Sequence, residues 1–297
     1  MLFSVIIPTH NGARFLERSV NSVLKQSFDD FEVIIVDDGS TDSTPQVIAG
    51  LVEKENGKVH SLSQKNSGPG AARNQGVELG SGRYLLFLDD DDELLPGALA
   101  LFAAQIEKYD QADFLWAGHY SLDEQGKKKK HGRRPFSPGN LDNFCDYIRG
   151  RFGLSQGEGV MKRDIFARLH YPETIRNNED VVFFAQILAL YKCQAIDGYA
   201  VIIHKRKESC RHNVESIRAT SALIADLLFD PDILPQEYMP FKDEFVSSRG
   251  LSLFRSLYYA GRYKEAREAF AKAINIYPAH ISKWSYLRKY LRSWLAF

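Results

Sequence analysis

An unbroken apolar run, Tyr84-Leu85-Leu86-Phe87-Leu88, passes directly into four consecutive aspartates, Asp89 to Asp92. Short apolar runs of this kind form strands buried on both faces of a parallel sheet. Such a strand delivers four carboxylates to one end of a buried sheet, where their charge is costly without a cation. Mg²⁺ or Mn²⁺ is the natural partner, because these ions take oxygen ligands from one or two carboxylates and from substrate phosphates. The competing reading is a solvated acidic loop.

The surrounding chain repeats the pattern. Leu2 to Ile7 and Phe31 to Val36 are further apolar, β-branched runs, the first stopped by Pro8 and the second by Asp37-Asp38-Gly39-Ser40. Val59 to Leu62 reads as a weaker strand and Phe114 to Tyr120 as a later one. Between them lie helical segments at about 12–26, from Thr44-Pro45 onward with Thr44 as cap and proline at the first helical position, from 67 to about 79, and after Pro96. Alternation of strand and helix predicts an α/β domain with a mostly parallel sheet flanked by helices. In such sheets ligands bind outside the carboxyl ends of the strands, so Thr9-His10-Asn11, Asp37-Asp38 and Asp89 to Asp92 are expected around one crevice.

The order and spacing of the blocks are more specific. Ser4-Val5-Ile6-Ile7-Pro8-Thr9-His10-Asn11, Ser22 to Phe28, Glu32 to Asp42, Gly68-Pro69-Gly70-Ala71-Ala72-Arg73-Asn74 and Tyr84 to Asp92 together resemble the family 2 glycosyltransferases. The resemblance is strong over residues 3–120 and weaker to 205. It implies a GT-A fold, a nucleotide-sugar donor (a UDP-sugar favoured), a saccharide or lipid-linked acceptor, and a divalent cation, Mn²⁺ or Mg²⁺, on the donor diphosphate.

Carried over by position, the resemblance assigns Pro8, Thr9, His10, Asn11 and Asp38 to the donor nucleotide. Asp38 would accept a base N–H and the His10 ring would stack on the base, where the family usually has tyrosine. Arg73 is expected beside the phosphates or the aspartate run, or as a helix residue pairing with a sheet-end carboxylate. Asp89 is expected at the ribose, with Asp90 also on the donor, and Asp91 as metal ligand. Asp90 stands where a small residue is common, so Asp90, Asp91 and Asp92 compete for the ion. His204 is a second candidate metal ligand; a structural histidine at a strand end is the alternative.

Glu179-Asp180 precedes a helical run, Val181 to Leu190. Two carboxylates there could simply cap the helix and suit its dipole. Inverting sugar transfer also needs a base on the acceptor hydroxyl. The resemblance places its Glu-Asp motif here, which implies Asp180 as base and Glu179 as acceptor-holding or capping residue.

Composition excludes little. Formal charge is zero, with no global sign that favours nucleic acid. Three cysteines without metal-like spacing fit reduced thiols, and neither a signal peptide nor a spanning helix is recognisable, so a cytoplasmic protein is expected, peripheral on the inner face of the membrane at most. Lys127 to Arg134 is a basic run, read as a solvated loop or as a surface for anionic headgroups or an acceptor pyrophosphate. Lys205, Arg206, Lys207 and Arg211 are read likewise as a solvated loop or as donor contacts.

The catalytic domain is expected over residues 1–210 and a helical region over 211–297. Leu257 to Tyr277 has the residue placement of one tetratricopeptide-like hairpin, expected to pack on the catalytic domain. Residues 284–297 place Trp284, Leu287, Tyr290, Leu291, Trp294 and Leu295 on one helical arc and Arg288, Lys289 and Arg292 on another. That pattern fits a membrane-interfacial helix or a terminal helix docked on the protein. The expected reaction is metal-assisted inverting transfer of one sugar, in surface polysaccharide or lipopolysaccharide synthesis. The rivals are a nucleotidyltransferase and a non-catalytic scaffold.

Overall fold

The structure, a computed structural model, describes residues 1–55, 57–205 and 223–295. Among them, residues 1–143 and 152–205 form one compact unit, and 144–151 with 223–295 form a second. The boundary expected at residue 210 lies outside the described residues, as do Arg206, Lys207, Cys210 and Arg211.

The first unit is built on one mixed sheet. Its strands are β1 (Phe3–Thr9), β2 (Phe31–Asp37), β3 (Val59–Ser63), β4 (Tyr84–Phe87), β5 (Glu93–Leu94), β6 (Phe114–Leu122), β7 (Lys128–His131), β8 (Gly159–Lys162) and β9 (Cys193–His204). The order is β3-β2-β1-β4-β8-β6-β9-β5, with β7 also on β6. The β3-β2-β1-β4 half is parallel, with Phe3 opposite both Phe31 and Tyr84. Every residue of β1, β2 and β4 is buried, which is why these strands read as continuous apolar runs and not as alternating ones.

Helices α1 (Leu16–Leu24), α2 (Thr44–Lys54), α3 (Pro69–Leu79), α4 (Ala98–Lys108), α5 (Asn140–Ile148) and α6 (Glu179–Leu190) complete the α/β pattern. Thr44 is the first residue of α2 and not its cap. Asp42 does the capping, its Oδ1 accepting the Thr44 N–H at 2.9 Å. The small residues of the Gly68–Asn74 block let α3 lie close to its neighbours. A Cβ at Gly70 would sit 2.6 Å from the Pro172 carbonyl, and one at Gly76 2.4 Å from Ile6 Cγ2. The basic run expected as a solvated loop is β7, an ordered strand antiparallel to the end of β6. The ammonium groups of Lys128 and Lys130 lie over the rings of Tyr120 and Tyr199, so the exposed strand has a cation–π face that charge alone does not reveal.

In the second unit α7 (Lys242–Tyr259) and α8 (Tyr263–Ile276) form a helical hairpin that begins well before the Leu257 to Tyr277 segment read from the sequence and turns at Gly261, φ 72°. Leu251, Phe254, Leu257, Ala266, Phe270 and Ala273 form its core. Within this unit the cover is α9 (Trp284–Arg292), whose Tyr286, Leu287 and Tyr290 pack on that cluster. Tyr290 stacks on Phe270 with ring centroids 4.3 Å apart. Trp284, Leu291 and Leu295 remain exposed, so the apolar arc predicted for this helix is divided between a docked and a free face. No helix among the described residues is long and apolar enough to cross a membrane.

Candidate active site

The parallel register brings the ends of β1 and β2 level, Thr9 opposite Asp37. The chain then turns over them. Asn11, in the left-handed region with φ 55°, accepts the Thr41 N–H at 2.8 Å through its side chain, and its own N–H donates to Ser40 Oγ at 2.8 Å. The His10 ring is exposed, with Nδ1 2.9 Å from the Asp38 carbonyl. Asp38 is buried and holds the loop after β3: Gln64 Nε2, Ser67 N and Gly68 N donate to its carboxylate at 2.8, 2.7 and 2.8 Å. The residue expected to read a base thus organises the loop that forms the wall of this pocket. Gln64, Ser67 and Asn66, whose amide lies 3.2 Å from the His10 ring, had no sequence signal beyond their place after a weak strand.

The four aspartates diverge. Asp90 Oδ2 accepts from Thr9 Oγ1, and a Cβ at Gly12 would collide with both, so a larger residue there would displace this pair. Asp89 accepts from Arg73 Nη2 at 3.0 Å. Arg18 Nη2 donates to the Asp91 carbonyl at 2.5 Å. Asp92 is buried and accepts the His204 backbone N–H at 2.8 Å. The His204 ring meets Glu93 through Nε2 at 2.8 Å and not an aspartate of the run. Burial first, then the charges of Asp89 and Asp91, push the Asp92 carboxyl up to about 9. Negative charge is therefore in excess here, even with Arg18 and Arg73 nearby.

Arg73 is the hub. It is buried on α3, and Nη1 donates to Glu179 Oε1 at 2.7 Å while Nη2 reaches Asp89. Its guanidinium lies 5.2 Å from the centre of the Tyr171 ring, and its buried Nε has no partner among the described residues. Burial opposes this charge, but Asp89 and Glu179 outweigh it and hold the guanidinium more firmly protonated than usual. Asn74 latches the same helix to the Tyr171 backbone with two hydrogen bonds, at 2.9 and 3.0 Å. Tyr171, Arg18 and Glu93 belong to this network and carried no sequence signal.

Asn178, with φ 63°, turns the chain into α6, whose first residues are Glu179 and Asp180. Asp180 is half-buried, and its Oδ1 lies 2.8 Å from the Val181 N–H. Burial, then repulsion from Glu179, push its carboxyl up to about 6 against the pull of Arg73. A carboxylate so placed remains ionised at neutral pH and holds a proton more readily than an ordinary aspartate, as a general base requires. Contacts among the predicted residues thus join His10 with Asn11 and Asp38, Thr9 with Asp90, Arg73 with Asp89 and Glu179, and Asp92 with His204.

Residues 4–169 match the family model described as Glycosyl transferase family 2. The chain belongs to this family. Its relatives include the GalNAc(5)-diNAcBac-PP-undecaprenol beta-1,3-glucosyltransferase of Campylobacter jejuni, 30% identical over 59% of this chain and 56% of that one. The minor teichoic acid biosynthesis protein GgaA of Bacillus subtilis is 31% identical over 70% of this chain and 48% of its own. TarS of Staphylococcus aureus, a poly(ribitol-phosphate) beta-N-acetylglucosaminyltransferase, is 40% identical over 37% of this chain and 19% of its own. The chain thus spans about half the length, or less, of these relatives. The fold of this family 2 glycosyltransferase is that of the crystal structure of TarS 1-349, with a TM-score of 0.65 over 98% of this chain and 89% of that one at 24% identity.

Proposed function

We propose that the protein transfers one sugar, with inversion, from a nucleotide-sugar to a saccharide hydroxyl, with Asp180 as the base. The observation that carries this reading is the double contact of Arg73, which ties Asp89 of the aspartate run to Glu179 of the acidic pair. One cation thereby spans the donor side and the acceptor side of a displacement. Asp180 takes the proton of the attacking hydroxyl, and Glu179, fixed by Arg73, keeps the segment in register. The free Nε–H of Arg73 is available to a phosphate oxygen of the leaving group. Thr9, His10, Asn11 and Asp38 frame the nucleobase, with Pro8, next to the last residue of β1, paired opposite Val36. TarS has been solved with UDP and with UDP-GlcNAc, which favours a UDP-sugar as donor. PP-undecaprenol and poly(ribitol-phosphate) in the relatives' names favour a saccharide acceptor that carries phosphate.

The site suits a divalent cation. No three His, Cys, Asp or Glu side chains converge on one point among the described residues. A Mg²⁺-type ion needs only one or two carboxylates and completes its shell with phosphate oxygens and water. Asp91 would hold it, with Asp90 or Asp92 as the competing ligand. His204, its Nε2 oriented by Glu93, would present Nδ1. Burial first, and the charges of Asp89 and Asp91 second, raise Asp92, and such an ion would relieve the second of these. When bound, it stabilises the charge that grows on the departing diphosphate.

We also infer peripheral contact with an anionic membrane through α9 and Trp294-Leu295. Trp284, Leu291 and Leu295 are 66%, 53% and 82% exposed. They share this segment with Lys283, Arg288, Lys289 and Arg292 and with no acid.

The test is a thermal-shift screen of UDP, GDP, dTDP and CMP with and without Mn²⁺, on wild type and Asp91→Ala, followed by turnover of the matching nucleotide-sugar. Metal-dependent stabilisation by one diphosphate, lost in Asp91→Ala, is the expected result. Absence of any nucleotide response, together with no turnover, would favour a scaffold. Release of inorganic diphosphate from a sugar phosphate and a nucleoside triphosphate would favour a nucleotidyltransferase.

A further inference from the structure

A second cluster of cationic side chains stands at the same end of the sheet. β7 pairs with His119–Leu122, the part of β6 that extends past β8. Both β4 and β6 are antiparallel to β8, so they run the same way, and the β6–β7 hairpin rises at the carboxyl end of the sheet. The register runs from Lys128 to Leu122 to His204, and the His204 N–H donates to Asp92. With strands about 4.8 Å apart, the backbone of the basic strand lies roughly 10 Å from that of His204.

The side chains on one face of this hairpin are held in place. His119 and Ser121 stand opposite His131 and Lys129. The two imidazoles stack, with centroids 4.5 Å apart and 11° between their planes. Glu158, 1% exposed, binds His119 Nδ1 and accepts the Ser155 N–H at 2.6 Å. Ser121 Oγ lies 2.8 Å from His131 Nε2. Lys205 continues from β9, its N–H donating to the Leu122 carbonyl at 2.8 Å. Burial, then His119, Lys205 and Lys129, hold His131 below the usual imidazole range, which shows how closely the positive groups converge.

On the other face Lys128 and Lys130 lie over Tyr120 and Tyr199, at 4.3 and 4.4 Å from the ring centres. The nearby carboxylates are committed elsewhere: Glu158 to His119, Asp197 to Arg133, Asp123 to the Gln125 and Lys127 N–H groups. Among the described residues no carboxylate pairs with Lys128, Lys129 or Lys130. Exposed ammonium groups beside a pair of imidazoles held by Glu158 and Ser121 form a surplus of donors whose energy falls when a multivalent oxyanion enters.

We propose that His119, Lys129, His131 and Lys205 on the β6–β7 hairpin and the end of β9 bind the phosphate or diphosphate of the acceptor. This rests on the transferase reading given above and names the part of the acceptor that the protein grips. A phosphate group suits the site because it accepts from several donors at once, and Lys129 and Lys205 can each supply more than one N–H.

Isothermal titration of inorganic diphosphate in EDTA, at saturating UDP, reads this site apart from the donor site. Wild type is expected to bind, Lys129→Glu and His131→Gln to bind at least about tenfold more weakly, and Lys128→Glu, on the opposite face, to lose less. No binding by wild type, or equal binding by Lys129→Glu and His131→Gln, overturns the proposal. Co-sedimentation with phosphatidylcholine vesicles containing phosphatidylglycerol separates the sources. Equal retention of wild type and Lys129→Glu is expected, whereas loss of vesicle binding without a diphosphate response assigns the face to lipid headgroups and overturns the acceptor site. Stabilisation by UDP with Mn²⁺ is followed in parallel. Its absence in wild type removes the transferase reading, and its presence without a diphosphate response removes only the anion site.

Discussion

Arg73 and Glu179 are 106 residues apart in the chain and meet through a 2.7 Å charge-assisted hydrogen bond in a buried setting. Removing one partner of such a pair leaves the other as an uncompensated buried charge. Arg73→Met is therefore expected to cost about 3–5 kcal/mol of stability. Arg73→Met/Glu179→Gln should recover much of that loss, as read from chemical denaturation. Activity should not recover in the double variant, because the contact to Asp89 and the free Nε–H are gone as well.

With Asp180 as the proposed base, its carboxyl is expected to set the acid limb of the rate. With its carboxyl pushed up to about 6, kcat/KM is expected to fall as pH drops through that value. Asp180→Asn should reduce kcat by about 10²–10⁴-fold, the usual worth of a positioned base, and leave UDP binding intact. The sign for stability is opposite. The folded protein retains this proton above the ordinary value of 3.8, so its stability falls as pH rises through 3.8 to 6. Asp180→Asn should flatten that part of the profile, and melting temperature against pH in EDTA checks it.

At the proposed metal site, Asp92 is expected to link pH to cation binding. Its folded value of about 9 lies far above 3.8, so in chelator the protein is expected to lose stability steadily as pH rises through this window. Mn²⁺ favours the ionised carboxylates and should raise the melting temperature more at pH 8 than at pH 6, ~10-fold tighter per pH unit at the limit of one proton released. Asp92→Asn should remove the steep pH dependence in EDTA. An equal Mn²⁺ effect at both pH values in wild type would contradict the coupling.

The terminal helix has a free apolar face and a docked one. Deletion after Ile281 is expected to abolish co-sedimentation with anionic vesicles, but it also uncovers Phe270. Trp284→Ser/Leu291→Ser leaves the docked residues Leu287 and Tyr290 in place and should give the same loss without lowering the melting temperature. Unchanged vesicle binding in both variants would assign the exposed face to something other than a membrane.

Much of the donor half was legible in local sequence. The β1, β2 and β4 runs are apolar because both faces of these strands are covered, and their polar ends fall at one edge because the strands are parallel. Thr9, Asp38 and Asp89 to Asp92 could be placed from that topology alone, and Glu179-Asp180 from its position ahead of a helix. Less was legible where partners are distant in the chain or where charge hides packing. Lys127 to Arg134 reads as a solvated loop, yet Lys128–His131 within it pair with β6 as an exposed strand. The terminal arc reads as one apolar face, yet Phe270 takes one part of it and leaves the rest exposed.

Hydrophobic periodicity and the residues that break it are properties of neighbours in the chain, and these alone determined the strand–helix order, the sheet end that carries the carboxylates and the family resemblance. The direction of each side chain was decided only by the tertiary structure. The aspartates part company, Asp90 to Thr9, Asp89 to Arg73 and Asp92 to the His204 backbone, because each meets a donor brought in by a different element. The upward shift of Asp180 likewise depends on burial and on the nearby charges of Glu179 and Arg73. Electrostatic energy depends on distance and burial in space, and neither quantity exists until the sheet has brought residues 9, 73, 89, 179 and 204 together.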